Sequence, residues 1–309
     1  MTNDKLRDRS ICYLLFVIEA SIWGCLESGC PQIKDALFSL CPLCLCGEVF
    51  SVKSLFSGLL LAFFLTKAAG AAENELVIGM EMQFPPFEML DTKGQPAGVS
   101  VDMAHSMGEY LHRTVRFENI PFDGLIPSLK TGKIDLAISS MTKTADRAKS
   151  IDFSDAYLSM GLSILANKNS PIQSIDDVDK PNVTVAVKKA TTGHIYAIQH
   201  FHNARINTFS DAQTCGTEVA QGKADCMIYD QVSIFQLWKS HQDTTKPILK
   251  PFQSEEWAIG IRKGNDELRQ QVNAFLKQFK ETGGFNELGN KYFGENKKMF
   301  EQMGIPFYF

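Results

Sequence analysis

From residue 73 onward the chain alternates short apolar runs with stretches of helical periodicity, and it does so in two successive sets. In the first set, residues 76–80, 115–118 and 134–138 read as buried strands. Ser100 reads as the N-cap of a helix whose apolar face is Val101, Ala104, Gly108 and Leu111, and residues 125–129 form a short helix stopped by Thr131 and Gly132. In the second set, strands at 183–187, 206–209 and 226–229 alternate with helices at 192–201, from an Asp211 cap to Gln221, and at 231–240. Between the sets, the apolar segment 158–166 is long enough to cross from one group to the other, and 257–261 reads as the return crossing. A last helix at 266–281 carries Leu268, Val272, Phe275, Leu276 and Phe279 on one face, and Gly283 and Gly284 stop it. This alternation predicts an α/β protein with mainly parallel sheets. Two such groups and two crossings predict two lobes joined by a two-segment hinge. Lobe 1 would be residues 73–162 and 254–309, and lobe 2 residues 163–253.

The 309 residues hold 31 Lys+Arg against 35 Asp+Glu, and a net charge of -4 excludes the basic footprint of a nucleic-acid binder. Six of the eight cysteines fall in the first 46 residues. The CPLCLC run at 41–46 has neither a second pair at zinc-finger spacing nor a nearby histidine, so no metal site is expected there. Cys215 and Cys226 could bridge in an oxidising compartment, if the helix and strand that carry them bring their backbones close enough.

Lys53, an apolar run at 55–65 and the small residues Ala68, Ala69, Gly70, Ala71 and Ala72 have the order of a secretory signal peptide over residues 52–72. The run is too short to span a bilayer, which needs about 20 apolar residues. A signal peptide opens a protein, so residues 1–51 are expected to be a non-native upstream extension. A rival anchor or lipoprotein signal over 11–26 follows Lys5, Arg7 and Arg9, but Glu19 interrupts it.

Residues 134–147, IDLAISSMTKTADR, carry the clearest chemistry. An apolar strand stops at Ser139, Ser140, Met141 and Thr142, and a helix begins near Thr144 with Arg147 in its first turn. Hydroxyls and free N–H groups at such a turn hold an anion. A guanidinium one turn further adds a planar fork for a carboxylate. No nucleophile–base pair and no metal ligand set stands beside it, so neither catalysis nor a cofactor is expected.

These motifs recur in order with several others: FPPFE at 84–88, GVSVDMA at 98–104, FDGLIPSLKTGKIDLAISSMTKTADR at 122–147, TTG at 191–193, GKADCMIYD at 222–230, WAIGIRKG at 257–264 and GGFNELGNKYFG at 283–294. From residue 76 to about 292 the chain resembles the periplasmic solute-binding proteins of polar amino-acid ABC transporters, the bacterial extracellular solute-binding family 3. The resemblance implies the two-lobed type II periplasmic-binding-protein fold. It also implies a monomeric, non-enzymatic receptor that captures an amino acid and delivers it to an inner-membrane ABC-transporter permease. Two departures stand out: Ser100 replaces the usual acid, and Ala190 the glycine common before Thr191 and Thr192.

An α-amino acid needs an anion hole with an anion opposite. Arg147 is the expected carboxylate clamp, with Thr142 and Thr192 completing its shell, and Ser139 and Thr191 are expected among the ligand-binding residues. By the resemblance, Ser140 accepts from the ammonium, Asp230 pairs with it, and Phe84 and Phe122 wall the side chain. Family receptors for basic amino acids often carry an acid where Glu81 stands, so a lysine-, arginine- or histidine-like ligand is open. Lys188 and Lys189 could instead favour an acidic one. Glu88 reads as structural. Cyclohexadienyl dehydratases share the scaffold and need a general acid. An enzyme that uses Asp230 or Glu81 is therefore the alternative, and prephenate turnover distinguishes it.

Overall fold

The computed structural model describes residues 75–302. The extension at 1–51, the signal-peptide segment at 52–72, the cysteines before residue 47 and the apolar segment 305–309 lie outside the described residues, with the expectations placed on them.

Strand β1 (Glu75–Met80) leads into a small antiparallel sheet of β2 (Gln83–Phe84), β3 (Glu88–Leu90) and β4 (Pro96–Ala97). Then come α1 (Val99–Leu111), β5 (Thr114–Asn119), α2 (Phe122–Thr131), β6 (Leu136–Ala137) and α3 (Ala145–Ala148). The long β7 (Ile151–Asn167) crosses to β8 (Thr184–Lys188), α4 (Thr192–His200), β9 (Arg205–Phe209), α5 (Ala212–Ala220), β10 (Cys226–Asp230) and α6 (Gln231–Ser240). The equally long β11 (Thr245–Arg262) returns to α7 (Asp266–Glu281) and α8 (Gly284–Gln302).

Eight strands form one sheet in the order β5-β1-β6-β11-β7-β10-β8-β9. The outer strands pair in parallel within each lobe. The central β7 and β11 run antiparallel to each other and to their neighbours β10 and β6. The sheet is therefore mixed where mainly parallel pairing was expected, because both hinge segments are themselves strands. Their length was hidden for a chemical reason. Pro247 and Pro251 punctuate β11, and polar residues interrupt the apolar runs, Asp152, Ser154, Asp155 and Ser159 in β7 and Ser254, Glu255 and Glu256 in β11. Pairing slips between Ile248 and Gln253, opposite Ile164 and Leu162.

Alternation along the strands feeds both faces of the sheet. On β10, Met227 and Tyr229 join the core that α1, α5, α6 and α7 cover. Cys226 and Ile228 join the opposite core beneath Ala197 of α4. Leu125 and Leu129 of α2 close a third cluster against β6 and β7 in the first lobe.

Two sequence expectations change. Gly98, not Ser100, is the N-cap position of α1. With φ at 122° it needs glycine, since a Cβ would lie 2.3 Å from the Phe87 carbonyl oxygen. That approach docks α1 on the FPPFE loop, with the Ser100 amide donating to the Phe87 carbonyl at 2.8 Å. Cys215 and Cys226 are both buried and free, and their side chains lie in different cores.

Candidate functional site

The carboxyl ends of β1, β6, β8 and β10 point to one cleft between the lobes, where an open α/β sheet leaves its loops and helix starts free to meet a ligand. The cleft walls include all ten residues expected from the sequence. Glu81, Phe84, Phe122, Ser139, Ser140, Thr142 and Arg147 come from the first lobe, and Thr191, Thr192 and Asp230 from the second.

Arg147 is in the first turn of α3, whose N-cap Thr144 accepts the Arg147 amide at 3.2 Å. Thr142 precedes that cap and has another role. Residues 141–143 pair with β11 through Ala258 N to Met141 O at 3.0 Å and Lys143 N to Glu256 O at 2.8 Å. This aims the Thr142 hydroxyl at Glu255 Oε2, 3.1 Å away. The guanidinium donates from Nη1 to the Thr142 carbonyl at 2.7 Å and from Nη2 across the cleft to the Ala190 carbonyl at 3.0 Å. Its Cζ lies 5.3 Å from the Phe122 ring centroid. Burial pulls its pKa down to about 10, against the neighbouring charge of Glu255. Two of its five N–H groups are thus engaged by the protein, which leaves donors for an anion.

Asp230 ends β10 and caps α6, with Oδ1 accepting the Ser233 amide at 2.9 Å. Both roles foreseen for it are compatible, because Oδ2 is buried without a partner. Burial raises its pKa to about 6; the Ser233 bonds oppose the shift and Glu255 adds to it. Thr191 caps α4 and donates its hydroxyl to the Lys188 carbonyl at 2.7 Å, which turns the start of α4 toward the cleft. Ala190, just before it, sits at φ 63° and Ser140 at φ 48°, left-handed conformations that strain a residue with a Cβ.

Glu81 is neither a solvated strand-end acid nor an open charge. It is buried, accepts the Phe122 amide at 3.3 Å through Oε1, and pairs through Oε2 with Lys188 of the opposite lobe. Its own amide donates to Ser139 Oγ at 3.0 Å. Lys188, expected near the cleft and undecided, is fully inside, while Lys189 makes an exposed ion pair with Asp123 at 2.9 Å. Ser140, expected to face an ammonium, donates its hydroxyl to Glu88 Oε2 at 3.2 Å.

Sequence reasoning missed Glu255, Trp257, Tyr229 and Leu162, and it placed Glu88 in the scaffold. Glu88 takes Ser100 Oγ at 2.6 Å and Ser139 Oγ at 3.4 Å as well. Burial raises its pKa to about 8 despite those hydroxyls and the charge of Lys188. Glu255 has Oε1 buried with no partner, and burial raises its pKa against Thr192, Thr142 and Arg147. The signal for Glu255 was strand periodicity: it lies two residues before Trp257, on the same face of β11. Phe84 stacks on Phe87 at 5.4 Å between centroids and meets Tyr229 and Trp257 edge-on at 5.7 and 5.9 Å. Among the described residues, no group of His, Cys, Asp or Glu could hold a metal ion.

Residues 76–295 match the family described as bacterial extracellular solute-binding proteins, family 3. The chain is 29% identical over 222 residues to the "Probable histidine-binding protein" of Neisseria gonorrhoeae, covering 71% of this chain and 82% of that one. It is 27% identical over 221 residues to the L-cystine-binding protein TcyJ of Escherichia coli, again covering 71% and 82%. A solved ancestral amino acid-binding protein, a precursor of cyclohexadienyl dehydratase, is 35% identical with a TM-score of 0.66, covering 72% of this chain and 96% of that one.

Proposed function

The chain belongs to the bacterial extracellular solute-binding proteins, family 3, and on that premise we propose that it captures an amino acid between its lobes for an ABC-transporter permease. One observation carries the reading. Two buried carboxylate oxygens, Asp230 Oδ2 and Glu255 Oε1, lack a partner in a cleft that also presents the Arg147 guanidinium. A zwitterion fits that arrangement. Its carboxylate takes the free donors of Arg147, and its ammonium meets Asp230 and, by the same need for a partner, Glu255. Phe84, Phe122 and Trp257 supply apolar surface for the side chain.

Capture works by hinge closure, the motion that periplasmic binding proteins exemplify. We place the lobe boundaries at 162/163 and 253/254, where the slip in pairing between β7 and β11 supports them. Arg147 belongs to the first lobe and Asp230 to the second, so only the closed form engages both ends of the zwitterion. That differential contact is what shifts the population toward closure.

The cleft is complete within one chain, which supports a monomer. Among the described residues no helix is long and apolar enough to cross a membrane. We place the protein in the periplasm, with residues 52–72 as its export signal. A thermal-shift screen of the protein against the amino acids tests the reading. A ligand at 100 times its Kd adds about 2.7 kcal/mol of stability. Silence across the panel would overturn it.

A second reading, a dehydratase, draws on Glu88, a cleft-lining acid that burial holds protonated near neutral pH, and on the likeness to a dehydratase precursor. We favour the receptor. Glu88 already holds three serine hydroxyls, whereas the oxygens without partners belong to Asp230 and Glu255. Conversion of prephenate to phenylpyruvate by the purified protein would reverse that preference.

A further inference from the structure

We propose that Lys188 is a specificity-determining residue that occupies Glu81 from across the cleft and thereby selects an amino acid with an uncharged side chain. The inference rests on the receptor reading above and goes further by naming the ligand class. Four acids line the cleft, Glu81, Glu88, Asp230 and Glu255. Asp230 and Glu255 each keep an oxygen without a partner, and Glu88 is filled by serine hydroxyls. Of the four, Glu81 alone is in a direct ion pair with a cation of the protein itself.

The pair is built between lobes. Glu81 follows the last residue of β1, and Lys188 is the last residue of β8. Their side chains are 8% and 3% exposed. The second Glu81 oxygen is taken by the Phe122 amide, and the Lys188 ammonium lies 5.7 Å from the Phe122 ring centroid. Each charge is buried and depends on the other, and removing one partner of such a pair strands the other.

The consequence for a ligand follows directly. A guanidinium or ammonium that reached Glu81 would have to displace Lys188 and leave it buried without a counterion. The same lysine repels the incoming cation, a built-in element of discrimination. An anionic side chain meets the reverse obstacle, since Glu81 already holds Lys188 and repels a second carboxylate. A neutral side chain leaves the pair intact and packs on Phe84, Phe122 and Trp257.

Calorimetric titration of the full chain with glutamine, leucine, arginine, lysine and glutamate tests this. The wild type should bind a neutral amino acid at least about tenfold more tightly than arginine or lysine, the scale expected when one buried charge is left unpaired. Lys188→Met should move the arginine-to-neutral ratio at least about tenfold toward arginine. Adding Glu81→Gln should cancel that gain, and this double variant, with no stranded charge, covers the case in which Lys188→Met alone does not fold. A wild type that prefers arginine or lysine overturns the inference, as does a double variant whose ratio stays at the wild-type value while the folded single variant has not moved. In both of those outcomes the receptor reading survives. A wild type that takes no amino acid in the panel overturns the receptor reading and the inference together.

Discussion

Two regions of the cleft are made from the same material and behave differently. Around Glu88, a carboxyl group with 1% exposure is hydrogen-bonded to the hydroxyls of Ser100, Ser139 and Ser140. Around Asp230 and Glu255, carboxylates with 5% and 4% exposure each keep an oxygen with no partner. Burial and residue type are alike, so neither tells scaffold from site. Satisfaction does. A buried polar group that already holds its hydrogen bonds belongs to the wall, whereas one left open costs free energy until a ligand arrives. Glu81 and Lys188 fall on the wall side of this divide, although a sequence reading puts Glu81 among the groups that meet a ligand.

The contrast can be broken most forcefully at Arg147. Arg147→Ala should weaken amino-acid binding by about 2–5 kcal/mol, because the ligand carboxylate loses its charged partner. Calorimetry that returned an unchanged Kd would move Arg147 to the wall. Glu88→Gln probes the other region through stability. The folded pKa of Glu88, about 8, is above its ordinary 4.5. Its contribution is therefore fully present below pH 4.5 and lost as pH rises through 8. Each unit of such a shift is worth about 1.4 kcal/mol. Wild-type melting temperature should fall between pH 5 and 8 by an amount matching a few kcal/mol, and Glu88→Gln should flatten the fall. Equal slopes would mean that the serines keep Glu88 ionised.

Asp230 sharpens the comparison by affinity. With its pKa near 6 in the ligand-free cleft, pairing with an ammonium requires loss of that proton, so binding weakens as pH drops. The wild-type Kd at pH 5 should be about tenfold weaker than at pH 7, since one pH unit below the pKa leaves about a tenth of the groups ionised. Glu255, also shifted upward, pushes in the same direction. Asp230→Asn should bind more weakly at pH 7 and lose most of this pH dependence. The smallest effect concerns the backbone between the two regions. Ala190 at φ 63° offers its carbonyl to Arg147, and Ala190→Gly should stabilise the protein by about 0.5–1 kcal/mol through relief of the left-handed conformation. Chemical denaturation would detect it, and a destabilised variant would show that the site carries no strain.

Much of this was legible in residue order. The strand ends at Met80, Asp230 and Phe209 and the helices Gln231–Ser240 and Asp266–Glu281 follow local periodicity and caps such as Asp211 and Asp230. The ten cleft residues were also legible, Ser139, Ser140, Thr142 and Arg147 from the strand-to-helix turn that carries them and the others through the family resemblance. The length of β7 and β11 was not, since their outer halves are polar or proline-bearing and hold together only by pairing with each other. Ser100 read as a cap because it precedes an apolar face; its actual partner, Glu88, is 12 residues away and is brought near by the bend at Gly98.

The sequence by itself determined the kind of fold, a pair of α/β lobes, because that depends on local pattern, and with the family resemblance it named the groups proposed to hold a zwitterion. Only the tertiary structure decided which of those groups are already taken. Lys188 is 107 residues from Glu81 and Glu255 is 113 from Thr142. Whether a buried charge is paired depends on what the fold brings within a few ångströms of it, and spacing along the chain says nothing about that distance.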